Sequence, residues 1–524
     1  MGDCKKKQAC CSSSALKLLL VVVVPLILVS GFACRTSWVS FSSYYPWLLT
    51  AATPPPPPSI TTTTMVEKTV SSTKEKHQDL HARVVGVHHI EEALSHASSF
   101  FNRSSSLQIP QPDERKQESL KGSINGSNVV PVTRTILPRS YSKLERLEAG
   151  LTRARAKIKE VIQNGNRILD TDFVPQGPMY WNSNAFHRSY LEMEKQFKIF
   201  IYEEGEPPLF HNGPCKSIYS MEGNFIHKME MDHRFRTRDP DKAHAYFLPF
   251  SVAMMVQFVY VPNSNDFKPI KLTVRDYVSI IARKYPYWNR SLGADHFMLS
   301  CHDWGPETSS SVPLLYKNSI RVLCNANTSE GFNPSKDASF PEINLRTGQT
   351  NGLIGGPSPS RRPILAFFAG GLHGPIRPLL LEHWKNKDED IQVHQYLPKG
   401  LSYYDMMRKS KYCICPSGYE VASPRIVEAI YTGCVPVLIS DHYVPPFSDV
   451  LNWKSFSVEV PASEIPNLKR ILMGISQRQY IRMQRRGVQV RRHFEVNSPP
   501  KRFDVFHMIV HSIWLRRLNV RIHD

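Results

Sequence analysis

At 524 residues the chain exceeds what one ordinary domain needs and leaves room for two, plus additional segments. Its 41% hydrophobic residues permit sizeable cores, whereas forty prolines point to extended or irregular stretches. The formal charge of +19 is strongly basic and unevenly spread.

Leu18 to Cys34 is uncharged and mostly aliphatic and, with Ala15 and Leu16, is just long enough to cross a bilayer as a helix. Lys5, Lys6, Lys7 and Lys17 precede it, and Arg35 is the only charge close behind. The positive-inside rule then keeps residues 1–17 cytoplasmic and everything after Arg35 lumenal or extracellular. Small residues around Gly31-Phe32-Ala33 make a cleaved signal peptide the competing reading. The apolar run is long for that, so an uncleaved anchor over 18–34 is expected. A lumenal chain has no nucleic acid to meet.

Residues 35–140 read as a disordered stem, with polyproline at Pro54–Pro58, a threonine run at Thr61–Thr64 and no sustained core periodicity. Asn102 and Asn125 are glycosylation sequons here, joined downstream by Asn289 and Asn327. From 141 to 195 the pattern becomes an amphipathic helix and lead-in: Leu144, Leu147, Leu151, Ile158 and Ile162 recur at helical spacing.

The segment 196–350 reads as an α/β domain. Lys198–Tyr202, Ala245–Pro249 and Asp295–Cys301 are short buried strands, and Val274–Tyr285 is a helix. The last strand runs into His302-Asp303. A carboxylate or imidazole at the carboxyl end of a parallel strand stands where catalytic groups usually lie. His302 as a core hydrogen-bonding residue and Asp303 as a turn cap are equally open.

Residues 351–363 read as a Pro-, Gly- and Ser-rich linker, and 364–480 as a second α/β domain. Its first strand, Ile364–Phe368, leads into Gly370 and Gly371, where backbone can approach a ligand, and Arg377 opens the next helix, where a phosphate would lie. Ile391–Val393 is a further strand and Tyr403–Ser410 a helix. Lys411 to Asp441 is the most informative stretch. Strand Tyr412–Cys415 stops at Pro416-Ser417-Gly418, Ser423-Pro424 starts a helix, Gly433 ends it and Val435–Ile439 is the next strand. So short a unit implies parallel strands with a ligand crevice at the helix N-terminus. Arg425 and Glu428, one turn apart, suit a diphosphate and ribose hydroxyls, or else form a surface ion pair. The region 481–524 is expected to be a basic helical tail: from Lys469 onward thirteen Lys and Arg stand against three acids, a net of +10.

The runs Ser423–Ala429 and Gly433–Val437 resemble the nucleotide-sugar motif of exostosin-family glycosyltransferases, as do Phe367–Arg377 and Gly213-Pro214-Cys215 with Glu222-Gly223. This resemblance spans roughly Lys198 to Val510. It implies a GT-B-like α/β fold, with two Rossmann-like domains facing a cleft behind a transmembrane anchor and stem. It also implies an inverting transferase, resident in the Golgi membrane as a single-pass type II protein, that moves sugar from a nucleoside diphosphate, expected to be UDP, to a cell-wall polysaccharide or other glycan acceptor. The donor site would comprise Gly370, Gly371, Arg377, Ser417, Arg425 and Glu428. The catalytic candidates are Asp303 and His302, and other glycosyltransferases are candidate partners. No cofactor is required in that scheme, because cationic side chains neutralise the leaving group.

No metal site is expected, since the six cysteines beyond the anchor lack zinc-finger spacing and allow disulfides instead. A metal-dependent transferase would need an Asp-x-Asp at a strand end; the chain has Asp170/Asp172, Asp239/Asp241 and Asp388/Asp390, which sit in charged loops or before the catalytic body. A non-catalytic lumenal subunit of a polysaccharide-synthesising complex is the remaining alternative.

Overall fold

The computed structural model describes residues 141–165 and 169–523. The anchor at 18–34, the stem and the sequons at Asn102 and Asn125 lie outside the described residues. Among the described residues, no helix is long and apolar enough to cross a membrane.

Two wholly parallel sheets carry the fold. The first has six strands in the order β2-β1-β3-β4-β5-β6. These are β1 (Ile199–Ile201), β2 (Arg236–Thr237), β3 (Ala245–Phe247), β4 (His296–Ser300), β5 (Ile320–Leu323) and β6 (Ala338–Ser339). The second has five, in the order β11-β10-β9-β7-β8. These are β7 (Ile364–Ala369), β8 (Ile391–His394), β9 (Ser410–Pro416), β10 (Val435–Ile439) and β11 (Val458–Glu459). The central strands are buried throughout, which is why they read as continuous apolar runs rather than alternating ones. Two Rossmann-like parallel sheets fit the GT-B architecture.

Seven helices matter below: α1 (Lys143–Asn164), α2 (Ser183–Gln196), α3 (Ser220–Met231), α4 (Ile376–Trp384), α5 (Arg425–Thr432), α6 (Gln477–Val490) and α7 (Val505–Asn519). Ser142 and Glu145 close a capping box at the start of α1. The stripe α1 buries is Leu144, Leu151, Ala154, Ile158 and Val161. Ile162, expected in it, is 39% exposed, because the row drifts by one position at its last turn.

Two further stretches pack closely. Residues 351–363, read as a linker, are held against the second half. Arg362 is buried and donates to the carbonyls of Met407 (3.3 Å), Ser410 (3.0 Å) and Thr432 (2.6 Å). Arg408 likewise fixes Gly352 and Gly355 through their carbonyls. The stretch 481–524 is not a solvated basic tail. Helix α6 packs beside α5 and β10 of the second half. Helix α7 returns to the first half and is buried nearly all round, with Trp514 edge-on to Phe197 at 5.3 Å. Its arginines are consumed internally: Arg516 reaches Asp449 at 2.7 Å, and Arg517 reaches Glu148 at 2.5 Å and the carbonyl of His244 at 2.6 Å. Arg502 clamps Asp170 and Glu194 in the same way.

Four of the six downstream cysteines are bridged. Cys301–Cys324 joins the ends of β4 and β5, and Cys413–Cys434 joins β9 to the residue before β10. Cys215 and Cys415 are free.

A single carboxylate organises the carboxyl end of the first sheet. Glu222, fully buried in the first turn of α3, accepts from the hydroxyls of Ser251 (2.5 Å) and Ser300 (2.9 Å). It also accepts from the backbone N–H of Ala253 (3.0 Å), Cys301 (2.8 Å) and His302 (2.9 Å). A buried charge is tolerated when its lone pairs are filled in this way. Glu222→Ala should cost roughly 3 kcal/mol or more, because several buried donors lose their acceptor at about 1–3 kcal/mol each. Urea unfolding measures this, and a loss under about 1 kcal/mol would mean the donors find other partners.

Candidate active site

The ends of β4 and β5 form one wall. His302 and Asp303 follow β4 directly, with Asn325 opposite them beyond Cys324. The Asn325 amide donates to Asp303 Oδ1 at 3.4 Å and, through Oδ1, accepts from the N–H of Ala422 at 3.2 Å, linking this wall to the loop before α5. The Tyr219 hydroxyl also bonds to Asp303. Burial raises the Asp303 carboxyl above its ordinary range, and these two bonds only partly offset it.

His302 is buried and packs, tilted by 38°, against the Tyr219 ring at 4.6 Å. Its Nδ1 accepts from the Trp304 backbone N–H at 3.1 Å, so the neutral ring carries its proton on Nε2. Burial lowers its pKa to about 3. It is therefore a neutral donor and lacks the free lone pair a base needs, which leaves Asp303 as the base candidate of the pair.

The opposite wall comes from the second sheet. Gly370, after β7, is seated under the Arg425 guanidinium. A Cβ at Gly370 would lie 2.3 Å from Arg425 Nη2, so glycine here makes room for the arginine. Arg425 Nη2 donates to the carbonyl of Ala369 at 3.1 Å and its guanidinium lies over the Phe368 ring at 5.3 Å, while Nε is buried without a partner. Gly371 accepts from the N–H of His373 at 2.9 Å. Gly374 has a positive φ of 68°, and a side chain there would strike the carbonyl of Gly418.

Arg377, in the first turn of α4, is buried and donates through Nε to the carbonyl of Ser417 at 3.2 Å, which makes Ser417 a backbone anchor for the arginine. Burial and the neighbouring Arg425 lower the Arg377 pKa to about 10. Two guanidiniums that act on each other in this way are chemically suited to an anion. Ser423 does not cap α5 as expected. Pro424 occupies the cap, and the Ser423 hydroxyl is buried without a partner beside the site. Glu428 is buried one turn into α5 and accepts from the hydroxyls of Tyr403 (2.9 Å) and Tyr404 (3.1 Å). A carboxylate accepts at about four positions, so two remain for other hydroxyls.

Beside Glu222, which belongs to the Gly213-Pro214-Cys215 pattern, two acidic side chains at the site, Glu342 and Glu420, carry no motif. Glu222 shapes the β4 end as described. Glu342, 7% exposed in the segment after β6, interacts electrostatically with Asp303 from one half and with Arg425, Arg377 and Glu428 from the other. Glu420 lies in the loop before α5. The only sequence signal for Glu342 is a lone acid inside the apolar run Phe340–Leu345.

The structure thus brings Asp303, His302, Gly370, Arg377, Ser417, Arg425 and Glu428 around one cleft. The sequons Asn289 and Asn327 lie apart from these groups. Asn289 is exposed, whereas Asn327 is buried in the seam between the halves, bonds Glu330 at 2.9 Å and pairs with Tyr443.

All three Asp-x-Asp triplets are engaged by cations. Asp170 and Asp172 bind Arg502; Asp239 and Asp241 bind Lys242 and Lys143; Asp388 and Asp390 bind Lys469. Among the described residues no group of three or more His, Cys, Asp or Glu is arranged to hold a metal ion.

Residues 193–475 match the model of the exostosin GT47 domain. A probable glycosyltransferase of Arabidopsis thaliana is 69% identical over 401 residues, covering 76% of this chain and 77% of that protein. More distant are a probable beta-1,4-xylosyltransferase of Arabidopsis thaliana, 26% identical over 61% of this chain and 82% of its own length, and a probable glucuronosyltransferase of Oryza sativa subsp. japonica, 27% identical over 61% and 81%.

Glu420 offers a test of the cleft's electrostatics. Burial, with Glu330 and Asp303 adding to it, pushes its carboxyl up to about 8 from an ordinary 4.5. Between those values the folded chain holds a proton that the unfolded chain has released, so this group's contribution to stability falls as pH rises. Glu420→Gln cannot titrate and should gain stability over the parent progressively between about pH 5 and about pH 8. Urea midpoints across that window check this; a constant difference would show a solvated carboxyl.

Proposed function

The chain belongs to the exostosin GT47 family and is a glycosyltransferase, and from that premise we propose that it transfers a sugar from a uridine diphosphate donor to a hydroxyl of a cell-wall glycan with inversion. The observation that carries this reading is the pairing across one cleft of Arg377 and Arg425, facing unpartnered donors, with a buried carboxyl, Asp303, on the other wall.

In this reading Arg377 and Arg425 hold the diphosphate, with the α5 N-terminus and the Ser423 hydroxyl beside them. Glu428 takes ribose hydroxyls at its two remaining positions. Asp303 accepts the proton of the acceptor hydroxyl, whose oxygen then attacks the anomeric carbon. The bond from that carbon to the diphosphate oxygen breaks on the opposite face, and its electron pair leaves with the diphosphate into the field of the two arginines. A carboxyl raised by burial is a stronger base than an exposed one, which suits proton removal from a hydroxyl.

We also propose that a divalent cation is dispensable for donor binding, because the two guanidiniums supply the positive charge and the Asp-x-Asp triplets are already paired. The two disulfides favour an oxidising compartment, in keeping with a lumenal catalytic part anchored in the Golgi membrane through residues 18–34. Protease treatment of sealed Golgi vesicles should spare the chain beyond Arg35; digestion of the catalytic body in intact vesicles would exclude that topology.

The two walls separate in mutants. Arg425→Ala should weaken UDP binding by roughly ten- to a hundredfold, the effect of losing one charged hydrogen-bonding group, with or without EDTA. Asp303→Asn should leave UDP affinity nearly unchanged while cutting transfer by roughly a hundredfold or more. In the parent, kcat/KM should fall at acid pH, with its midpoint above the ordinary carboxylate range, because Asp303 must be ionised and its pKa is raised. Full transfer by Asp303→Asn would remove it from the reaction.

A further inference from the structure

The direction in which Glu428 presents its free lone pairs is set by two tyrosines. Its side chain is buried and makes two hydrogen bonds among the described residues. The Tyr403 hydroxyl donates to Oε2 at 2.9 Å and the Tyr404 hydroxyl to Oε1 at 3.1 Å, so each oxygen is held by one phenol. Both tyrosines open the short helix Tyr403–Lys409, which Ser402 caps by accepting from the N–H of Asp405 at 3.3 Å. Neighbouring residues diverge by about 100° around a helix. The two rings therefore reach the carboxylate from different directions, and they meet edge-on at 5.4 Å and 76°.

Each ring is itself held. Tyr403 packs against Phe367 of β7 at 5.8 Å. Tyr404 lies under the guanidinium of Arg346, which comes from the first half, 5.5 Å from the ring centroid. A carboxylate gripped on both oxygens by fixed donors cannot turn about its last carbon–carbon bond without breaking one of the two hydrogen bonds.

The geometry points to Tyr403 and Tyr404 as positioning residues that aim Glu428 at the vicinal hydroxyls of a ribose, so that the site reads the 2′ and 3′ hydroxyls as a pair and selects ribonucleotide donors. This inference rests on the reading of Glu428 as the group that takes the ribose. A carboxylate accepts at about four positions, and the phenols leave room on each oxygen. Vicinal hydroxyls supply two donors side by side, which matches that pair. A carboxylate free to turn could meet a single hydroxyl in several ways. A clamped one cannot follow, and a deoxyribose then leaves one buried oxygen a donor short. The selectivity is thus built into a tyrosine pair that acts through Glu428.

The test measures binding of UDP, 2′-deoxy-UDP and 3′-deoxy-UDP to the purified full chain by calorimetry, in the parent and in Tyr403→Phe, Tyr404→Phe and the double variant. Phenylalanine keeps the ring and removes only the donor, and a cooperative urea transition shows that each variant is folded. The parent should bind UDP roughly tenfold or more tighter than either deoxynucleotide, the effect of one hydrogen bond to a charged group. In the double variant both gaps should shrink to about threefold or less. Each single variant should narrow at least one gap, which decides the matter should the double variant not fold. Variants that weaken all three nucleotides by the same factor, or leave all three unchanged, would overturn the inference and keep Glu428 as the ribose group. A parent that binds UDP no better than the deoxynucleotides would overturn the ribose reading of Glu428 and the inference with it. A parent that binds no UDP would overturn the reading of the cleft itself.

Discussion

The cleft depends on one buried carboxylate that takes no part in the chemistry. Five donors converge on Glu222, two of them the backbone N–H groups of Cys301 and His302 at the point where β4 ends. Parallel strands leave such N–H groups unpaired at their carboxyl ends, and a helix brought in from another part of the chain supplies the acceptor. The Cys301–Cys324 bridge then ties the same strand end to β5. Asp303 follows with no freedom to drift, and Asn325, on the other side of the bridge, meets it. The buried, perturbed acid is therefore a product of packing that begins one helix away.

The second wall is built by a different device. Its functional groups are long cations, and they are immobilised by carbonyls: Ala369 holds Arg425 and Ser417 holds Arg377. Arg425 keeps its Nε buried without a partner, and glycine at 370 leaves the space for its guanidinium. The two walls are fixed relative to each other by main-chain bonds across the seam. Val444 donates to Ala326 and Thr328 to the carbonyl of His442, while Asn325 reaches Ala422. Helix α7, which follows α6 of the second half in the chain, packs along its length on the first half. A cleft held in this way at one edge presents acid and cation at a set separation.

What was legible in the sequence was local. The β9–α5–β10 unit reads from its apolar runs and from Gly433, because strand, cap and turn chemistry act over a few residues. The parallel arrangement follows from the brevity of that unit. What was illegible depends on where the chain returns. The disulfide partners lie 23 and 21 residues apart, and only the folded sheet brings each pair together. The stretch 351–363 reads as a linker by composition, yet Arg362 and Arg408 pin it to the second half through backbone carbonyls. Ser423 had the residue type and place of a cap, but its hydroxyl is buried without a partner while proline holds the cap position. Glu342 carries no spacing signal, since its neighbours come from four separate segments.

Net charge misleads most. The C-terminal stretch contributes a net of +10 from Lys469 onward, which by itself suggests a basic surface awaiting a polyanion. Arg502, Arg516 and Arg517 instead pair with Asp170, Glu194, Asp449 and Glu148 and lock the last helix against the first domain. Those charges hold the fold together, and the cations assigned to the donor in the proposed reaction, Arg377 and Arg425, stand in a stretch that is unremarkable by composition. Their effect comes from position: both are largely buried, where a charge acts more strongly than it would at the surface. In the proposed reaction they stand on the wall opposite Asp303, which gives the cleft a direction. An anionic leaving group is drawn to one side, and the proton of a hydroxyl is drawn to the other.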